Sequence, residues 1–92
     1  MYKRIYSNNF RKNLKSYLKN GNFSREKLEG IIDRIILGLP LEVSLKNHKL
    51  QGRYKHLYEC HIQPDILLIH GKDEKLGLII LINIGSHSNL FG

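Results

Sequence analysis

Three of the five histidines in this 92-residue chain fall in short segments dense in amides, hydroxyls and carboxylates. The segments are Asn47-His48-Lys49-Leu50-Gln51-Gly52, Glu59-Cys60-His61-Ile62-Gln63-Pro64-Asp65 and Gly85-Ser86-His87-Ser88-Asn89-Leu90-Phe91-Gly92. Imidazoles titrate near pH ~6.5, so two of them can serve as base and acid at neutral pH with little tuning. A carboxylate such as Asp65 can accept a proton or orient a ring. Such a set can cleave RNA without a metal, because RNA carries its own nucleophile. A base removes the 2′-hydroxyl proton, the oxygen attacks the adjacent phosphorus, and an acid protonates the leaving 5′-oxygen. DNA lacks that hydroxyl. Basic side chains would hold the phosphate and offset its growing charge.

Other chemistries fit less well. Cys60-His61 with His48 or His87 offers zinc-ligand types, but no pair has zinc-finger spacing and adjacent strand residues point to opposite faces. A cysteine nucleophile needs an activated thiol, whereas strand cysteines are commonly buried and inert. No Gly-rich phosphate loop occurs. No metal or cofactor is expected. The plainer reading is chance proximity, since a domain this size has a radius of gyration of only ~12 Å.

The elements that must position these groups read as one continuous unit over residues 1–92, without repeat or linker. Tyr2 to Tyr6 has the look of a short strand. Ser7 or Asn8 can cap a helix in which Phe10, Leu14, Tyr17 and Leu18 recur at helical spacing, with Asn20-Gly21 as its stop. Ser24 caps a second helix, where Leu28, Ile31, Ile32, Ile35, Ile36 and Leu39 form an apolar stripe, ended by Gly38 and Pro40. So short a connection predicts an antiparallel helical hairpin. Tyr54 to Ile62, Ile66 to His70 and Leu76 to Ser86 are β-rich runs separated by turn-like segments, which predicts an antiparallel meander. The class is α+β. Continued as a strand, the last run would put Asn83 and His87 on one face.

Charge points to a polyanionic or acidic partner. Fifteen Lys and Arg against eight Asp and Glu leave +7, and residues 1–25 hold Lys3, Arg4, Arg11, Lys12, Lys15, Lys19 and Arg25 without an acid. Arg11, Lys15 and Lys19 sit four apart, opposite the apolar stripe of the first helix. A solvated basic face is the competing reading. The longest apolar run, Leu76 to Ile84, falls short of the ~20 residues of a membrane helix. The first residues carry no apolar signal-peptide core, and a lone Cys60 suits a reducing compartment. A cytoplasmic location, with no membrane contact, is expected.

The ordered combination of the three segments resembles the YafQ branch of the RelE/ParE superfamily, bacterial toxins of type II toxin–antitoxin modules. The basic first helix and Leu39-Pro40-Leu41 also fit, so the likeness spans the chain. It implies the RelE-like microbial RNase fold: a strand, two helices, then an antiparallel sheet. It implies an endoribonuclease that cuts messenger RNA in the ribosomal A site and is silenced by a small acidic antitoxin, of ribbon-helix-helix type, through which alone DNA is met; the acid-free run of cations then suggests Arg11, Lys15 and Lys19 as contacts to ribosomal RNA phosphates. His48, His61, Asp65, His87 and Phe91 fall on the family's functional positions. The resemblance implies His87 as general acid, His48 or Asp65 as base, and Phe91 against an mRNA base.

The chain also departs from the family. Asn83 and Tyr58 stand where such toxins commonly carry Arg, and His70 stands where they carry Tyr. Asn cannot supply a bidentate phosphate contact or a permanent charge, so restoring Arg at 83 is expected to raise cleavage. Lys49, Arg53, Lys55 or His70 would compensate at the substrate. The alternative function is a weakened or non-enzymatic member of the fold that binds antitoxin or ribosome, or inhibits another target as ParE does.

Overall fold

The computed structural model describes residues 2–21, 23–52 and 56–91. Its elements are β1 (Lys3–Tyr6), α1 (Asn8–Leu18), α2 (Arg25–Leu37), a 3-10 turn (Val43–Leu45), β2 (His48–Lys49), β3 (Leu57–Gln63), β4 (Ile66–Asp73), β5 (Leu78–Gly85) and α3 (His87–Phe91). The sheet order is β1-β5-β4-β3-β2, with β1 parallel to β5 and every other pair antiparallel.

Helix ends follow local chemistry. Ser7 caps α1, its hydroxyl oxygen accepting from Phe10 N at 3.0 Å while the hydroxyl donates to the Ile82 carbonyl. One side chain therefore starts the helix and fixes it to β5. Ser24 caps α2 in the same way through Lys27 N at 3.1 Å. Gly38, at φ +71°, closes α2 in the left-handed conformation that glycine tolerates best. The first helix ends at Leu18, short of the Asn20-Gly21 stop.

Phe10, Leu28, Ile32 and Ile36 from the helices pack with Cys60, Ile62, Leu68, Ile79, Leu81 and Ile84 on one sheet face. Arg4 of β1 pairs with Glu29, at 3.1 Å, and with Asp33 of α2. That cation of the basic N-terminal quarter is therefore committed to holding β1 against α2.

Three features depart from the sequence expectations. His48–Lys49, outside the three β-rich runs, forms a short strand on the edge of β3. Between Ile69 and His70 the β4–β5 register slips, so that Ile69 faces Asn83 and His70 faces Leu81. Ile82 is the additional residue of a β-bulge, which reverses side-chain parity along β5: Ile79 and Leu81 precede it in the core and Ile84 follows. Finally, β5 stops at Gly85 and His87 opens a helical turn, so strand periodicity does not relate Asn83 to His87.

Candidate active site

The sheet face opposite the main core carries the polar groups. Leu57, Glu59 and His61 alternate with core-facing Tyr58, Cys60 and Ile62 along β3. The ladder aligns His48 with Glu59, Glu59 with Ile69, and Ile69 with Asn83, a single row across four strands. This pairing converts the i, i+2 spacing of Glu59 and His61 into one cluster with His48.

Glu59 is the centre of that cluster. It is buried, 4% exposed, and its Oε1 lies 3.7 Å from the Nε2 atoms of both His48 and His61. At that distance the carboxylate makes no hydrogen bond to either ring but stands within ion-pair range of both. The Nδ1–H of His48 donates to the Lys46 carbonyl at 2.7 Å, which leaves Nε2 as the atom that can accept a proton. Sequence reasoning missed Glu59, although its signal was present: a carboxylate two residues from a histidine in a strand shares that histidine's face.

The second component is α3. Its His87 is exposed and packs its ring against Phe91, with centroids 5.0 Å apart. Phe91 is half-buried in a recess with Leu57, Ile69, Ile82, Asn83 and Leu90, on the same sheet face as Glu59 and His61. Gly85 permits this seating, since a Cβ there would lie 3.2 Å from Leu90 Cδ2.

The remaining sequence-predicted residues are placed differently. Asp65 lies exposed in the β3–β4 turn, lining a recess with Gln63 and Ser86, and pairs with no histidine among the described residues. Lys49 is exposed on β2, whereas Arg53 and Lys55 lie outside the described residues. On α1, Arg11 stands 5.5 Å from the Tyr6 ring centroid, and Lys15 and Lys19 are exposed.

His70 cannot compensate at the substrate, because it faces the helices. It is 5% exposed, stacks on Tyr58 at 5.6 Å, and has no hydrogen-bond partner for Nε2 among the described residues. Burial lowers its pKa to about 4. Burial, assisted by Glu59, likewise pushes the Cys60 thiol up to about 12, which makes it a poor nucleophile. Asn83 is also engaged, with Oδ1 accepting from Asn13 Nδ2 at 2.6 Å and from Ile84 N at 2.9 Å. It ties the bulge to α1.

Among the described residues no helix is long and apolar enough to cross a membrane. Residues 2–92 match the family model described as bacterial toxin of type II toxin–antitoxin system, YafQ. The mRNA interferase toxin YafQ of Escherichia coli strain K12 is 33% identical over 88 residues, which is 95% of this chain and 92% of that protein. A metal-bound toxin from Helicobacter pylori superposes with TM-score 0.93 at 35% identity, covering 99% of this chain and 100% of the other. The E. coli DinJ–YafQ complex gives 0.88 at 30% identity, with both chains fully covered. With a family match along nearly its whole length and the corresponding fold, the chain belongs to the YafQ family of bacterial toxins of type II toxin–antitoxin systems.

Proposed function

We propose that this toxin is an mRNA interferase, an endoribonuclease that cuts messenger RNA on the ribosome and is silenced by a cognate antitoxin. The observation that carries the reading is Glu59 held between His48 and His61, on the sheet face that also seats Phe91 beside His87. The E. coli relative named an mRNA interferase toxin supports the activity, and the relative solved with DinJ supports an antitoxin partner.

In this mechanism His48 Nε2 removes the 2′-hydroxyl proton, and the neighbouring Glu59 carboxylate stabilises the resulting imidazolium. The freed oxygen attacks the adjacent phosphorus. His61, beside the same carboxylate, and Lys49 offset charge on the phosphate. His87 protonates the departing 5′-oxygen. Phe91 stacks on a base of the message, a contact worth ~1–3 kcal/mol in single-strand recognition. Asp65, which pairs with neither His48 nor His61 among the described residues, orients the substrate or His87 from the recess that contains Ser86. Arg53 and Lys55 are further phosphate contacts in this reading. The exposed α1 cations, Lys15 and Lys19 with Arg11, meet ribosomal RNA phosphates.

The H. pylori relative is described as metal-bound. Here Glu59, His48 and His61 cluster, but among the described residues no group of three or more His, Cys, Asp or Glu side chains has the geometry to hold a metal ion. The steps above use none. A ParE-like inhibitor has no need of the histidine set, so that alternative is less well supported.

Expression without antitoxin should arrest bacterial growth. His87→Ala should relieve the arrest at equal soluble level and unchanged fold. An equally toxic variant would remove His87 from the acid role.

A further inference from the structure

His61 also forms a wall of a second recess, of about 340 Å3, which Lys27 and Lys46 line together with Ser44 and Gln63. The two lysines come from different elements, the first turn of α2 and the residue that follows the 3-10 turn. No carboxylate lines the recess, and neither lysine enters an ion pair among the described residues. Two carboxylates stand behind the lining: Glu42, which accepts from the Ser44 hydroxyl at 3.5 Å, and Glu59, 3.7 Å from His61 Nε2. Two cations facing one concavity repel each other until an anion enters.

Lys46 adds a conformational observation. Its φ is +50°, the only positive φ outside glycine among the described residues. That left-handed conformation is costly for a residue with a Cβ and is met most cheaply by glycine. Lys46 nevertheless lines the recess, while its carbonyl holds His48 Nδ1 at 2.7 Å. The same residue thus lines the recess and orients the imidazole assigned as base.

We infer that this recess binds a backbone phosphate of the RNA strand, next to the scissile one, with Lys27 and Lys46 as its cations. The inference rests on the RNA-cleaving reading and extends the substrate path past His61 toward α2. It differs from the α1 basic face, which lies on another element.

The test uses a short single-stranded RNA whose scissile nucleotide is 2′-deoxy, titrated into the intact toxin at several salt concentrations and followed by amide NMR shifts. Lys27, Ser44 and Lys46 signals should move. Lys46→Gly should weaken binding about three- to tenfold and lower the salt slope by ~0.7, the value for one phosphate contact on a single strand. Its unfolding midpoint should stay level or rise, because glycine relieves the left-handed strain. Lys46→Arg should restore affinity, and Lys27→Ala should reproduce the loss independently.

Unchanged affinity and slope in both lysine variants overturn the inference, even where the toxin still cleaves. Weakened binding of an acidic antitoxin peptide with RNA binding intact would mark the recess as a protein contact and overturn it equally. RNA held through both lysines but never cut on ribosomes would leave the inference standing and remove the catalytic reading. RNA that does not bind removes both.

Discussion

Leu90 closes over Gly85 so tightly that a methyl group at 85 would lie 3.2 Å from Leu90 Cδ2. The packing fixes α3 to the sheet, and through α3 it fixes His87 and Phe91. Gly85→Ala should shift Leu90, and α3 with it, by a few tenths of an ångström. A displacement near 1 Å at a reacting group costs on the order of 100-fold in rate, so single-turnover cleavage should fall by a few-fold, well short of that factor, while the unfolding midpoint changes little. A variant as fast as wild type would show that α3 need not be seated for His87 to act.

Glu59→Gln keeps shape and removes charge. If the carboxylate supports a base whose proton transfer is worth at least ~100-fold, the cleavage rate should fall by roughly that amount with RNA affinity nearly unchanged. An unaltered rate would reduce Glu59 to a packing residue.

His70 predicts a pH dependence of stability. Its folded pKa, about 4, lies below the unfolded 6.5, so between those values the unfolded chain takes up a proton that the folded protein refuses. Its contribution is present above pH 6.5 and is lost as pH falls toward 4, on the order of 3 kcal/mol in full. Urea denaturation at pH 7 and pH 5 should show a smaller acid loss for His70→Phe than for wild type. Equal losses would mean that His70 gains its proton in the folded state as readily as in the unfolded one.

Much of the fold was legible because its signals are local. Ser24 and Gly38 bound α2 as expected from capping and left-handed closure, and the three long strands follow β-rich runs between turns. The two-residue β2 was not legible, since its pairing with Tyr58 and Glu59 is non-local. The bulge at Ile82 was invisible for a related reason: the run up to Ile82 is apolar on both parities, so the single polar residue that follows, Asn83, has no alternation before it against which a shift would show. Within the site, His48 and His61 do share a cluster, but Asp65 stands apart and Glu59 takes the central place.

Asn83 shows the cost of extending strand periodicity too far. The periodicity argument that placed it on the His87 side fails at the start of α3, although both residues adjoin Phe91, and its oxygen already accepts from Asn13 and Ile84. Asn83→Arg should therefore lose about 1–3 kcal/mol of stability through the groups left unpaired. Calorimetry showing an unchanged midpoint, together with faster cleavage, would restore the role of a missing phosphate cation.

The central claim is cleavage through the RNA 2′-hydroxyl by this chain's own side chains, and it is tested most directly by the ends of the RNA cut on programmed ribosomes in chelator. The account predicts a 2′,3′-cyclic phosphate and a 5′-hydroxyl, with no cutting where the scissile nucleotide is 2′-deoxy. Fragments bearing a 5′-phosphate, or cutting abolished by chelator, would contradict it.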